Sequence, residues 1–317
     1  MHNVHRAWRT VIGLAGTVVL AGCLASTALD PSAKPQARPA DLLDGDDIQP
    51  SATSEALTLY YARLQNDLQA QDLMRTGGGG IDTPYRDTDL KRNFERIAFY
   101  NEYQNNGGLS PADDVPGRLR KWRAPVRIGV EFGARVPKDI QAQDLSNIRS
   151  YAGRLSRITG HPISVNNNNA NFTVMIMSAD DAEEASARTR EILPSFQRGS
   201  VGFYNRLPRS IRCFVIAAGM ENDYEYRVAL AYIRSENTAL QRLACIHEEL
   251  AQGLGLANDS PRARPSIFND DEEFALLTSH DEELLRTLYS PALKPGMALE
   301  EARPIFSRIF ANRSGPS

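Results

Sequence analysis

Histidine and cysteine are scarce in this chain of 317 residues, which holds five histidines and three cysteines. His2 and His5 lie at the basic start of the chain, and the other three histidines are scattered through the rest. Zinc sites in proteins are built largely from imidazole and thiolate ligands, so few residues are available for one. A Gly-x-Ser-x-Gly motif is also missing, which argues against the nucleophilic serine of an α/β-hydrolase.

An excess of positive charge is missing as well. The formal net charge is −3, and a chain without a basic surplus is not expected to bind nucleic acid. Charged residues make up 24% and hydrophobic residues 42% of the sequence. This composition is typical of a globular protein of one or two domains.

The N-terminal region has the pattern of an export signal. Basic residues precede an apolar run over residues 11–21, which is shorter than the ~20 residues needed to span a bilayer. The run ends in Leu20-Ala21-Gly22-Cys23, which resembles a bacterial lipobox. The alternative is an ordinary secretory signal that happens to contain a cysteine.

The lipobox resemblance implies that residues 1–22 are a signal peptide and that an acylated Cys23 begins the mature chain. Its acyl chains would give stable membrane anchoring, since each buried CH₂ group contributes ~0.8 kcal/mol. Leu24 follows the cysteine. By the sorting rule for such lipoproteins, a residue other than Asp at this position favours the outer membrane, facing the periplasm. The membrane is therefore the first expected partner.

Residues 23–53 are rich in Ala, Ser, Pro and Asp and predict a disordered tether. Behind the tether only Cys213 and Cys245 remain. An even number of cysteines in an oxidising compartment predicts one disulfide between them, and two buried free thiols are the alternative.

Hydrophobic periodicity divides the rest of the chain. Helical spacing over residues 54–74 and 90–105 predicts an N-terminal helical subdomain over 54–108, with Ser54 capping the first helix. From 109 to 300 strand and helix patterns alternate. They predict an α+β domain with a mixed sheet packed by helices. Residues 301–317 are expected to form a C-terminal tail.

The stretch 245–259 carries the most polar chemistry. It predicts the end of a helix that is capped by Ser235 and runs to about residue 253, followed by a turn broken by glycine. Carboxylates beside a core are costly unless they are paired or face a cleft. Separations of three and four residues place several polar side chains on one helix face; these are Cys245, Glu248, Glu249 and Gln252.

With Gly255 taken as the glycine of the motif, this stretch resembles the zinc-binding helix of metzincins. There the first histidine is followed one residue later by the catalytic Glu, then by two further ligands four and ten residues on. In this register Glu248 and Gln252 take the first two ligand positions, Glu249 takes the general-base position, and Asn258, followed by Asp259, takes the third ligand position. The resemblance extends to Phe268 in place of the methionine turn and to residues 277–289 as the closing helix, and it implies a zincin-like fold.

The expected cofactor is none, because no imidazole stands at a ligand position and amide oxygens bind zinc poorly. Two metal alternatives stay open. One is a weak, oxygen-only zinc site, and the other is a Ca²⁺ or Mg²⁺ site that would also use Asp259 and residues 269–271. The third interpretation is a hydrogen-bonded polar network that holds the bend.

Residues 54–297 also resemble a family of proteobacterial lipoproteins known as domain of unknown function 2927. The resemblance rests on several short runs: Asn93 to Ala98, Trp122 to Arg127, Ala170 to Phe172, Glu248 to Leu256 with Asn258 and Asp259, Phe268 to Asp281, Tyr289 with Pro291, and Pro295 to Met297.

Together these patterns predict a lipid-anchored cell-envelope protein. Its degenerate metzincin-like domain would bind an envelope protein or peptide without cleaving it. The alternative function is a periplasmic, metal-dependent hydrolase of peptidase type that uses Glu249 or Glu248 as its general base. A purely structural role is a third possibility.

Overall fold

The structure is a computed structural model that describes residues 49–78, 80–101, 114–194, 202–219, 224–269 and 271–313. The signal peptide, Cys23 and the tether up to residue 48 lie outside the described residues. Among the described helices, none has the length and apolarity required to cross a membrane.

A five-stranded mixed sheet lies at the centre of the fold, in the order β2-β1-β3-β5-β4. The neighbouring strands are parallel except for β4 and β5, which are antiparallel. Every residue of β3 is buried, as expected for a strand whose two faces are both covered. The strands are β1 (Val126–Phe132), β2 (Ile163–Val165), β3 (Phe172–Met177), β4 (Cys213–Ala218) and β5 (Val228–Arg234).

In the described part of the chain, seven α-helices pack around this sheet, which confirms the predicted α+β class. They are α1 (Ala52–Gln69), α2 (Asp87–Phe99), α3 (Lys138–Thr159), α4 (Ala182–Ile192), α5 (Ala239–Gly253), α6 (Ser279–Leu288) and α7 (Leu299–Ala311).

The alternation of side chains along β3 builds two hydrophobic clusters, one on each face of the sheet. Phe172, Val174 and Ile176 belong to the larger cluster, which also contains the buried faces of α3, α5 and α6. Met175 and Met177 belong to a smaller cluster with residues of α4. The helix α5 is therefore held against the centre of the sheet.

Helix α5 begins later than the sequence predicted. Its cap is Thr238, whose side chain accepts a hydrogen bond from the Gln241 N–H at 3.3 Å, while the Gln241 side chain accepts one from the Thr238 N–H at 3.1 Å. This reciprocal capping box satisfies two free helix donors. Ser235 lies three residues before this cap, and its N–H donates to the Met177 carbonyl at 2.8 Å, which extends the β-sheet pairing.

The N-terminal helices also differ from their predicted bounds. Helix α1 is capped by Ser51 rather than Ser54, and the Ser54 hydroxyl donates to Glu236 at 2.9 Å. The helix ends at Gln69 because the chain turns, with positive φ at Asp72 and Met74. Helix α2 ends at Phe99 rather than 105, since the next residue is extended.

Residues of the predicted helical subdomain and of the predicted tail pack against each other. The described residues from 49 to 313 belong to one compact unit. The expected tail begins inside helix α7, whose Phe306 and Phe310 pack against Phe94 of α2 with ring centroids 5.0 and 5.9 Å apart. Helices α2 and α7, which are far apart in sequence, thus share one hydrophobic core, because aromatic rings on both helices are buried together.

Candidate functional site

One face of α5 opens into a polar cleft of about 220 Å³. The start of β4 forms one wall, and the segment that follows α5 forms the other. Residues four apart on a helix lie on one face, so Ala244, Glu248 and Gln252 all contribute to the cleft. The charged residues that line the cleft are Arg212, Glu248, Glu249, Asp259 and Glu272.

The two adjacent glutamates lie beside a cysteine of the sheet. Glu249 is buried, with 3% of its surface exposed, and Glu248 is half-buried. One carboxylate oxygen of each lies within 4.8 Å of the other and of the Cys213 sulfur. No other comparable group of metal-binding side chains is found in the described part of the chain.

The predicted disulfide is present between Cys213 and Cys245, whose Cα atoms lie 5.9 Å apart. It joins the first residue of β4 to the second turn of α5. Cys213 lines the cleft, whereas Cys245 is buried with 1% exposure. The bond therefore fixes one wall of the cleft to its floor and removes the Cys213 thiolate as a ligand.

Gly255 makes the turn after α5 with a φ of +125°. A Cβ at this position would lie 2.4 Å from the carbonyl oxygen of Arg120. Only glycine combines this backbone conformation with so close an approach.

The turn separates the residues at the second and third metzincin ligand positions. Gln252 faces the cleft and donates from Nε2 to Oδ1 of Asp259 at 3.3 Å. Asn258 is not a cleft residue, because its Nδ2 donates to the carbonyls of Arg96 and Asp259 at 3.1 and 2.9 Å. The structure thus brings Glu248, Glu249, Gln252 and Asp259 together and leaves Asn258 outside.

None of the three described histidines lines the cleft. The His247 ring stacks on Tyr151, and its Nδ1 accepts the Leu277 N–H at 3.1 Å. Burial lowers the pKa of His247 to about 3. His280 is fully buried, with its ring nitrogens 2.9 Å from Asn93 Nδ2 and 3.2 Å from Asp281 Oδ1.

The side chains at the three ligand positions of the motif do not fit a zinc ion. Glu248 offers a carboxylate, Gln252 an amide, and Asn258 points away from the other two. Zinc prefers imidazole and thiolate ligands. The Ca²⁺ alternative loses the same asparagine, and Asn269 donates its amide to the Ala263 carbonyl at 2.9 Å. Asp270, which it would also use, lies outside the described residues.

A buried carboxylate holds the loop that replaces the methionine turn. Asp281 accepts hydrogen bonds from the Ser266 hydroxyl at 2.5 Å and from the Ile267 N–H at 3.1 Å. It also accepts from the N–H and the hydroxyl of Thr278, the cap of α6. Asp281 is fully buried although it lies in the first turn of α6.

The sequence missed the residues that close the far side of the cleft. The N–H of Met74 donates to the Glu272 carbonyl at 2.8 Å, and Arg212 bonds the Glu272 carboxylate at 2.6 Å. Glu273 likewise pairs with Arg75 and Arg264. Both glutamates are paired with arginines and only partly exposed. Local sequence signals do not reveal the Arg212–Glu272 and Arg75–Glu273 pairs, whose residues lie 60 and 198 positions apart.

The fold and the site define a mixed α+β domain with a polar cleft whose wall is held by a disulfide. The chain belongs to the family described as "Protein of unknown function (DUF2927)", which matches residues 87–308. The match begins at the first residue of α2 and ends inside α7, so it is shifted from the predicted range of 54–297. No curated protein and no solved structure matches the chain.

Proposed function

We propose that this protein is a lipid-anchored component of the cell envelope whose zincin-like domain binds an extended peptide segment without cleaving it. The observation that carries the proposal is the chemistry of the cleft. Its floor presents Glu248, Glu249 and Gln252 where a metzincin presents two histidines and a glutamate. A cleft without zinc-binding imidazoles retains a surface for binding but not the usual ligands of the ion that activates water.

Three features support a zincin-like scaffold around this cleft. Helix α5 supplies residues from two successive turns, and Gly255 bends the chain after it. The segment 265–268 then follows at the position of the methionine turn, with Phe268 buried. Helix α6 holds this segment through the buried Asp281, which accepts the Ile267 N–H. We infer that the scaffold has been kept while the ligand set has changed.

The edge strand β4 supports an extended peptide as the binding partner. Within the described residues β4 pairs with β5 alone. Arg212 lies opposite Arg234, and its carbonyl oxygen accepts the Arg234 N–H at 3.1 Å. Because successive residues of an antiparallel strand direct their backbone groups to opposite sides, the N–H of Val215 points away from β5. A free strand edge beside a cleft is a common site for adding a peptide strand.

Selecting peptides that bind to the full-length protein tests the binding function. We expect Val215→Pro to weaken the binding of selected peptides at least tenfold, because proline removes the outward N–H. Val215→Ala keeps the donor and is the matched control. The proposal fails if no peptide is selected, or if proline and alanine at this position bind equally well.

The lipid anchor is tested separately by fractionation and mass spectrometry of the mature N-terminus. We expect the N-terminal peptide to begin at Cys23 and to carry acyl chains, and Cys23→Ala to leave the membrane fraction. An unmodified N-terminus produced by cleavage at another residue would support the ordinary secretory signal instead.

A metal-dependent hydrolase is the second candidate function. It is favoured by the burial of Glu249 at the floor of the cleft, where a carboxylate could act as a general base. Glu248 is the other candidate base. Cleavage assays distinguish this function from binding alone.

A further inference from the structure

The Cys213 sulfur and the carboxylates of Glu248 and Glu249 form one group, but the disulfide prevents the sulfur from binding a metal ion with them. We propose that reduction of the Cys213–Cys245 disulfide converts the cleft into a Zn²⁺ site, with the Cys213 thiolate, Glu248 and Glu249 as its ligands. The proposal concerns a different ligand set from the metzincin motif, and it does not depend on whether the cleft binds peptides.

The three ligand atoms already lie close to the spacing that zinc requires. They are within 4.8 Å of one another. Bond lengths of ~2.3 Å to sulfur and ~2.0–2.2 Å to oxygen place tetrahedral zinc ligands ~3.5 Å apart. Changes in the side-chain torsions of the two glutamates can close this difference. All three residues line the same open cleft, so water could take the fourth position.

The donor set selects the metal. A thiolate with two carboxylates suits the borderline-soft Zn²⁺, whereas Ca²⁺ takes oxygen ligands alone. Ionised together, the three groups carry a charge of −3 in a partly buried cleft. A divalent cation offsets the repulsion that would otherwise arise among them. In the oxidised protein the sulfur is uncharged, and this reason for binding a cation is weaker.

The positions of the two sulfurs fix the direction of reduction. Cys213 lines the cleft and Cys245 is buried, so a thiolate of an external dithiol reaches Cys213 first. It forms a mixed disulfide with Cys213 and releases Cys245 as a thiolate that takes up a proton. The second thiol of the reductant then attacks its own bound sulfur and releases the Cys213 thiolate. The dithiol loses two electrons and the protein disulfide gains them.

Two single alanine variants separate this proposal from a general effect of losing the disulfide. Both are made in the full chain with Cys23→Ala, so that no other thiol is present. Cys245→Ala leaves the Cys213 thiol in the cleft. Cys213→Ala leaves only the buried Cys245 thiol and is the matched control, because it loses the same crosslink.

Titration with Zn²⁺ is the measurement. We expect Cys245→Ala to bind one zinc per chain at least 100-fold more tightly than the oxidised protein or Cys213→Ala. Adding Glu248→Gln or Glu249→Gln should weaken this binding at least tenfold. Co²⁺ should give a thiolate-to-metal absorption band with Cys245→Ala only, and excess Ca²⁺ should not displace zinc.

Circular dichroism first establishes that both variants are folded. If Cys245→Ala is not, the same titration is made on the parent chain reduced with a phosphine. The proposal is overturned if folded, reduced protein binds no zinc, if the two alanine variants bind it equally, or if the glutamates have no effect.

Discussion

The imidazole of His247 stacks on the ring of Tyr151, with ring centroids 3.9 Å apart and planes inclined by only 4°. The Tyr151 hydroxyl donates to the His247 carbonyl at 2.9 Å, which ties α3 to α5. Nδ1 of His247 accepts a backbone N–H, so the neutral ring must carry its proton on Nε2. The only histidine of the motif helix is thus a core residue.

This burial makes stability depend on pH. The pKa of His247 is lowered from 6.5 to about 3 by desolvation. Below pH 6.5 the His247 imidazole therefore binds a proton in the unfolded chain, whereas in the folded chain it binds one only near pH 3. The contribution of the neutral His247 to the free energy of unfolding is therefore complete above pH 6.5 and is lost as pH falls toward 3. At pH 5 the loss amounts to about 2 kcal/mol.

His247→Gln tests this linkage, because glutamine offers an oxygen to the Leu277 N–H and does not titrate. Urea unfolding at pH 7 and pH 5 should show a drop in free energy that is about 2 kcal/mol smaller than in the parent. Tyr151→Phe retains the imidazole and should retain the larger drop. An unchanged drop in His247→Gln would contradict the assignment.

The disulfide is expected to stabilise the whole domain. The two cysteines are separated by 32 residues in sequence, and closing a loop of this size contributes about 3–4 kcal/mol. Reductant should therefore lower the urea midpoint of the full chain. The double variant Cys213→Ala/Cys245→Ala should start at the lower midpoint and not respond to reductant. Equal midpoints with and without reductant in the parent would refute the expectation.

Gly255→Ala should destabilise the fold by about 2–4 kcal/mol, because it adds backbone strain and a clash with the Arg120 carbonyl. Gly77 is the control: it is exposed, and a Cβ there would meet nothing within 4 Å. Gly77→Ala should change stability by less than about 0.5 kcal/mol. Thermal unfolding compares the two variants, and similar melting temperatures would show that the bend tolerates a side chain.

Much of the fold could be predicted from the sequence because its signals are local. The α+β class and the end of α5 at Gly253 agree with the predictions, since alternation and helical spacing are properties of short windows. Cap positions were less predictable. Four residues are suitable caps by type: Ser51, Ser54, Ser235 and Thr238. Ser54 and Ser235 instead make tertiary contacts that the sequence does not show.

The candidate site, too, could be predicted only in part from the sequence. The grouping of Glu248, Glu249 and Gln252 follows from helix geometry alone. The orientation of Asn258 does not, because it depends on the Arg96 carbonyl, 162 residues earlier in the chain. The closure of the cleft by Met74 and Glu272 rests on contacts of the same long range. The sequence predicts a tail at the C-terminus because the aromatic partner of Phe306 lies on the distant helix α2.

The central claim is that the cleft binds without cleaving. Its most direct test is the cleavage of a broad peptide library by the full, oxidised chain, with Zn²⁺, Mn²⁺ or Ca²⁺ added and with a chelator as the blank. We expect no cleavage above the blank with any of the three ions. Metal-dependent cleavage that Glu249→Gln abolishes, together with one zinc per chain in the purified protein, would contradict the claim.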